Sequence, residues 1–273
     1  MKILLVALLA CGGGEDDGDE TGEGDATAPR MTATAMEHGN DIIGLLDAGV
    51  PVFGMFAPEQ SAAGGVAAAQ DTRTDFIFYS LESGPWDIPT LESFMAAMQE
   101  AGAGKGGAHP VVLRIPPIRD DREAARRHLS EGLAAGVDGL VLPHVESVDD
   151  VALAAEVVGD RLWPVHADGD VINVVLIEDQ VGIERAREIV GAPGVGVAIP
   201  GPGDLRRAYD GDMDAVERAI QTVLAACQEL DVPCGITAGP DDITERLAQG
   251  FEMIIVTRPE ALALGLEASG RGG

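Results

Sequence analysis

The stretch "VINVVLIEDQVGIERAREIVGAPGVGVAIPGPGDL", residues 171–205, decides the fold. It opens and closes on two near-continuous apolar runs, 171–177 and 194–200, separated by the charged segment "EDQVGIERAREI". A strand with one face in water alternates apolar and polar side chains, and these runs do not. Strands apolar on both faces belong to a parallel sheet covered by helices. The same alternation continues in both directions. Upstream lie "VPVFGMF" (50–56), "DFIFYSL" (75–81), "PVVLRIP" (110–116) and "GLVLPHV" (139–145); downstream lie "PCGITAG" (233–239) and "MIIVTRP" (253–259). Segments such as "REAARRHLSEGLAAG" and "DAVERAIQTVLAACQEL" separate them, with apolar residues recurring at three and four as in amphipathic helices. Eight such units over residues 41–267 predict a (β/α)8 TIM barrel. An open doubly wound sheet is the rival, but no G-x-G-x-x-G follows the first strand, which lowers its dinucleotide-binding version.

Of the 273 residues, 46% are hydrophobic and only 4% aromatic, so Val, Ile, Leu and Ala must fill the core. The formal net charge is −28, and Lys2 and Lys105 are the only lysines. Such a field repels phosphate backbones and excludes nucleic acid as a partner. The start, "MKILLVALLAC" (1–11), resembles a bacterial lipoprotein signal in which Cys11 is lipidated. The low-complexity acidic run "GGGEDDGDETGEGDATAP" that follows reads as part of a disordered tether over 12–40, and 268–273 as a disordered tail. On this reading the chain is a membrane-anchored lipoprotein on the periplasmic or cell-surface side; a chance apolar start and a cytoplasmic protein are the alternative. Cys227, late in a helix, and Cys234, at the start of a strand, read as buried small residues, and no zinc-type spacing is present.

A parallel barrel carries its chemistry at the C-terminal ends of its strands. There the sequence offers "LESGPWD", "LRIPP", "LPHVES", "LIEDQ" and "IPGPGDL", and hence Glu82, Arg114, His144, Glu178 and Asp204. Three carboxylates and one guanidinium at one mouth repel unless a divalent cation offsets them. Glu178 and Asp204 are the strongest pair, since consecutive strands lie about 4.8 Å apart. Carboxylates with water suit magnesium or manganese rather than zinc. The alternative is that both are solvated loop acids. The turn "AIPGPGDLRRAYDG" (198–211) is no phosphate cradle of the P-loop type, lacking the closing Lys-Ser/Thr. "TAGPDD" and "VTRPEA" likewise lack a glycine-rich phosphate site.

At these strand ends, and in "IFYSLESGPWD", "PVVLRIPP", "AGVDGLVLPHVESVDD", "VVLIEDQVGIERAREI" and "GVGVAIPGPGDLRRAYDG", the chain resembles the HpcH/HpaI aldolase/citrate lyase family of phosphoenolpyruvate/pyruvate-binding barrels, from about 42 to 266. The resemblance implies a metal-dependent lyase acting on 2-oxo acids. Glu178 and Asp204 would hold Mg2+ or Mn2+, Arg114 would stabilise an enolate oxygen, and Gly201, Pro202, Gly203 and Asp204 would form the loop that binds the pyruvate-like ligand. It also implies an aldehyde as second partner and a homo-oligomer. Arg114 could instead be a structural ion-pair partner at the rim. Two departures stand out. The family's Glu-His after the second strand is Glu82-Ser83 here, leaving His144 or His166 to move protons. The segment between the fourth and fifth strands is also shorter than the family's. These features leave two expectations: an active aldolase-type lyase, or a 2-oxo-acid-binding pseudoenzyme.

Overall fold

The computed structural model of the chain describes residues 41–272; the expected signal, Cys11 and the tether lie outside the described residues. The strands are β1 (Val52–Phe56), β2 (Phe76–Ser80), β3 (Val111–Arg114), β4 (Gly139–Leu142), β5 (Leu162–Trp163), β6 (Val171–Ile177), β7 (Val197–Pro200), β8 (Gly235–Ala238) and β9 (Met253–Val256). The helices are α1 (Asp41–Asp47), α2 (Ala62–Ala68), α3 (Ile88–Gly102), α4 (Arg122–Ala135), α5 (Val148–Val158), α6 (Gln180–Glu184), α7 (Ala186–Val190), α8 (Pro202–Ala208), α9 (Met213–Leu230), α10 (Ile243–Gln249) and α11 (Pro259–Ala268). Asp121 caps α4 by accepting from the amides of Glu123 and Ala124, and Asp212 caps α9 by accepting from Ala215. Such caps are worth about 1 kcal/mol each.

The fold is α/β with a parallel, curled, TIM-barrel-like sheet. Strand pairing runs β5-β6-β4-β3-β2-β1-β9-β8, with β7 on the other side of β6. The edges left by β7 and β8 meet at a parallel bridge, Ala198 to Cys234, where the Ala198 amide donates to the Pro233 carbonyl at 3.1 Å. Each of the eight expected strands is found within its range; β6 keeps all seven residues and the others are shorter at one end or both. The ninth, β5, was not expected: it lies against the first two residues of β6, pairing Leu162 with Val171 and Trp163 with Ile172.

Period-two alternation sorts the strand residues into two apolar layers. Val52, Phe76, Phe78, Val112, Val141, Val174, Ile199 and Ile255 point into the curl, while Phe53, Ile77, Tyr79, Leu113, Leu140 and Val256 meet the helices. Gly54 faces Phe76 so closely that a Cβ there would sit 2.1 Å from the ring. Helix α1 closes the N-terminal end of the curl, since its Ile42, Ile43 and Leu46 are buried in the inner layer. Arg271 seals the same end: its guanidinium binds Asp75 at 2.6 and 2.8 Å and the Pro51 carbonyl at 2.8 Å. This ion pair fastens Arg271 to the start of β1 and β2. Cys227 and Cys234 are both buried and free, as expected of small core residues.

Candidate active site

The alternation that fills the inner layer also aims the residues above it. Continuing each inward series past the last apolar position gives Phe56 on β1, Ser80 on β2, Arg114 on β3, Glu178 after β6, Gly201 after β7, Thr237 on β8 and Thr257 after β9. A cavity of about 470 Å³ opens there, lined by Arg114, Glu178, Gly201, Pro202, Gly203 and Asp204 among others. Five of the sequence-derived site positions thus join Glu178 around one space at the C-terminal ends of the strands. The expected adjacency is present too, with Ile177 paired to Pro200.

Glu178 is the centre of the arrangement. It is 2% exposed, and its Oε1 accepts the backbone amide of His144 at 3.1 Å. A Cβ at Gly201 would lie 2.3 Å from Glu178 Oε2, so only glycine leaves this carboxylate its place. Burial pushes the Glu178 carboxyl up to about 7; neighbouring Asp204 and Glu82 add to the rise, and His144 opposes it. A carboxylate so short of compensating charge is suited to gaining a cation.

His144 stands in the left-handed region at φ 51°, an uncommon conformation for a residue with a Cβ. This turn presents Nδ1 3.7 Å from both Glu178 Oε1 and Asp179 Oδ2, and Nε2 3.9 Å from Glu82 Oε1. The Asp179 carboxylate raises the imidazole pKa, helped by Glu178 and opposed by burial. Asp179 itself is partly desolvated, which works against its charge. His144, the Gly182 amide at 2.9 Å and the Arg119 guanidinium at 2.8 Å outweigh that cost and hold it down to about 2. Arg119 also pairs with Glu146, so one guanidinium ties the loops after β3, β4 and β6.

Arg114 is held from three sides. Its Nε donates to Ser80 Oγ at 2.9 Å, its terminal nitrogen lies 3.0 Å from Glu82 Oε2, and its guanidinium carbon sits 5.3 Å from the Phe78 ring centre. The loop carrying Glu82 is anchored in turn by Trp86, which stacks on His128 at 4.1 Å and donates to Glu131 at 2.5 Å.

The structure also separates residues that the sequence set side by side. Among the described residues, the compact group of possible metal-ligating atoms is Glu82, His144 and Glu178, all within 4.8 Å of one another. Asp204 lines the same cavity, but its carboxylate, in the first turn of α8, pairs with Arg207 in the last. His166 is at the wrong end: it follows β5, beside the start of β6, whereas Glu178 follows that strand's last residue. Seven strand residues put roughly 20 Å between them, and His166 instead faces Asp160 at 3.7 Å. Ser83 is exposed. Reading the sequence missed Ser80, Asp179, Arg119, Phe56, Phe78, Thr237 and Thr257. Counting inward parity would have found five of them; Asp179 and Arg119 carry no such signal.

The HpcH/HpaI aldolase/citrate lyase family profile matches residues 53–257. Similar folds include an HpcH/HpaI aldolase/citrate lyase family protein from Burkholderia cenocepacia J2315, at TM-score 0.69 and 22% identity, covering 85% of this chain and 97% of that one. The citrate lyase beta subunit from M. tuberculosis, complexed with oxaloacetate and magnesium, is similar at TM-score 0.59 and 19% identity, over 81% of this chain and 97% of that one. Macrophomate synthase follows at 0.61 and 22%, over 85% and 87%. At such identities the likeness is one of fold. A search of curated proteins gives no sequence match. On the profile match, the chain belongs to the HpcH/HpaI aldolase/citrate lyase family.

Proposed function

We propose that this member of the HpcH/HpaI aldolase/citrate lyase family is a metal-dependent carbon–carbon lyase that cleaves 2-oxo acids through the enolate of pyruvate. The observation that carries the reading is Glu178: a nearly inaccessible carboxylate raised to about 7, walled by Gly201 and opening on a cavity shared with Asp204 and Arg114. An all-oxygen pair of this kind fits a hard divalent cation such as Mg2+ or Mn2+. Glu178 and Asp204 are the proposed ligands, with Asp204 leaving Arg207 to reach the site. When bound, the cation would supply Lewis-acid polarisation of the substrate's keto oxygen.

The chain's own groups do the rest. Arg114, immobilised by Ser80, Glu82 and Phe78, faces the oxygen on which negative charge develops. Loss of one such donor typically costs about 3 kcal/mol of barrier. In the cleavage direction the 4-hydroxyl proton goes to a base, the C3–C4 bonding pair becomes the enolate, the aldehyde leaves, and C3 then regains a proton. His144 is the proposed carrier of that proton, because its Nδ1 lies 3.7 Å from Glu178 Oε1 and its Nε2 3.9 Å from Glu82 Oε1. A second reading is favoured by exposed Ser83 in the position of the family's histidine: a protein that binds 2-oxo acids without turnover.

Proton exchange separates the two. With Mn2+ or Mg2+ and pyruvate in heavy water, the lyase exchanges the methyl protons, and Glu178→Ala abolishes the exchange. Binding without exchange supports the second reading; neither binding nor exchange rejects both. The same proposal includes a lipid anchor on Cys11, supported by "LLAC" and the acidic run behind it. Labelled lipid should enter the full-length chain and not Cys11→Ser; equal labelling rejects the anchor.

A further inference from the structure

The mouth has two unlike flanks. Arg114, Glu178 and Asp204 gather on one side, from the ends of β3, β6 and β7. Phe56, Phe78 and Ile255 form the other, from β1, β2 and β9, with the hydroxyl-bearing Thr237 and Thr257 beside them. Phe56 is 42% exposed, a large apolar side chain facing water above the cavity, and it packs edge-to-face on Phe78 with ring centres 5.2 Å apart.

The charges around this space are lopsided. Among the described residues that line it, Arg114 is the sole cation, against Glu178, Asp204 and Asp242. Arg114 is already engaged by Ser80 and Glu82. Just outside, on the Phe56 side, Arg258 turns to Asp241 at 3.5 Å, while Arg207, which Asp204 would release on taking the cation, belongs to α8 on the charged side. Asp242 is held at the rim by the Gly239 amide, 2.7 Å away. A 2-oxo acid already brings one carboxylate. A second, at the far end of the substrate on the Phe56 side, would meet Asp242 and no cation among the described residues that line the cavity there, while an apolar group would cover the exposed Phe56 face.

We infer that the cleaved substrate is a 4-hydroxy-2-oxo acid with an uncharged, apolar tail, alkyl or aryl, seated on Phe56, and that a substrate carrying a second terminal carboxylate is selected against. This rests on the lyase reading above. The reaction stays balanced: the C3–C4 pair passes to the enolate, the hydroxyl proton passes to the protein and then to C3, and the tail leaves on the aldehyde. Phe56 is a specificity-determining residue in this scheme. It touches the tail and none of the reacting atoms.

The test uses the full chain with Mn2+ and pyruvate. Proton exchange into pyruvate is measured first, which checks the lyase reading by itself. Aldol addition is then compared for benzaldehyde and for succinic semialdehyde, and binding of the two corresponding 4-hydroxy-2-oxo acids is followed by saturation-transfer NMR. The inference predicts a preference of at least about tenfold for the aryl partner in kcat/KM, with the same order in binding. Phe56→Arg should narrow that ratio by about tenfold and Phe56→Leu should preserve most of it. A merely structural role for Phe56 would slow both partners equally and leave the ratio alone. Exchange with a ratio near one, or in favour of the carboxylate, overturns the inference and leaves the lyase standing. Absence of exchange removes the lyase reading and the inference with it.

Discussion

The two ends of the curled sheet are built from the same strands and treat charge in opposite ways. At the N-terminal end the partly buried carboxylates are met by donors, Asp138 by the Val111 amide at 2.8 Å and Asp75 by a guanidinium. Asp75 accepts the Phe53 amide at 2.7 Å and both terminal nitrogens of Arg271, over an apolar plug from α1. At the mouth, Glu82 pairs with Arg114 and Asp204 with Arg207, but Glu178 faces only the imidazole of His144, and burial pushes its carboxyl up to about 7. One end is organised for stability. The other holds a buried carboxylate without a guanidinium partner, at a cost that the remainder of the fold tolerates, the usual sign of a functional site.

Substitutions at the two ends should therefore differ in sign as well as in size. The largest effect is expected at the closed end. Phe76 is fully buried, and Phe76→Ala should cost about 3–5 kcal/mol in chemical denaturation; a cost below about 1 kcal/mol would show that the closed end does not carry the stability assigned to it. Next comes Asp75→Asn, which leaves the Arg271 guanidinium without its bidentate partner and should lose about 2 kcal/mol at pH 8.

Glu178→Gln should run the other way. The folded pKa of Glu178 is raised, to about 7, so its stabilising protonated form is present at low pH and is lost as pH rises through 7. Without metal, the glutamine should stabilise the fold by on the order of 1 kcal/mol at pH 8 and by little at pH 5. A melting series showing equal loss at both pH values would break the comparison. The smallest effect belongs to His166, beside the start of β6: His166→Ala should leave pyruvate exchange unchanged, within about a factor of two, and a large loss would relocate the site.

Much of the mouth was legible in the sequence, and what was missed has specific causes. Glu178 and Arg114 could be placed because each ends an unbroken apolar run, and a parallel sheet sends all such ends to one side. His144 and His166 could not be ranked this way, since both follow hydrophobic segments. The unexpected β5 is what assigns His166 to the far end, and two residues of strand give too weak a pattern to read. The partnering of Asp204 with Arg207 is local, at three residues' spacing on α8, yet its competition with a metal depends on where α8 starts relative to β6.

The sequence alone determined the architecture, the end of the sheet that bears the chemistry and most of the residues there, because burial on both strand faces and the two-residue period are local properties written residue by residue. Only the tertiary structure decided that Glu178 keeps closest company with His144 and Glu82, that Arg119 and Asp179 support that cluster, and that an aromatic wall faces it. Those contacts join residues up to 96 positions apart, as from Glu82 to Glu178. They depend on strand register and on a left-handed turn at His144, which no local pattern specifies.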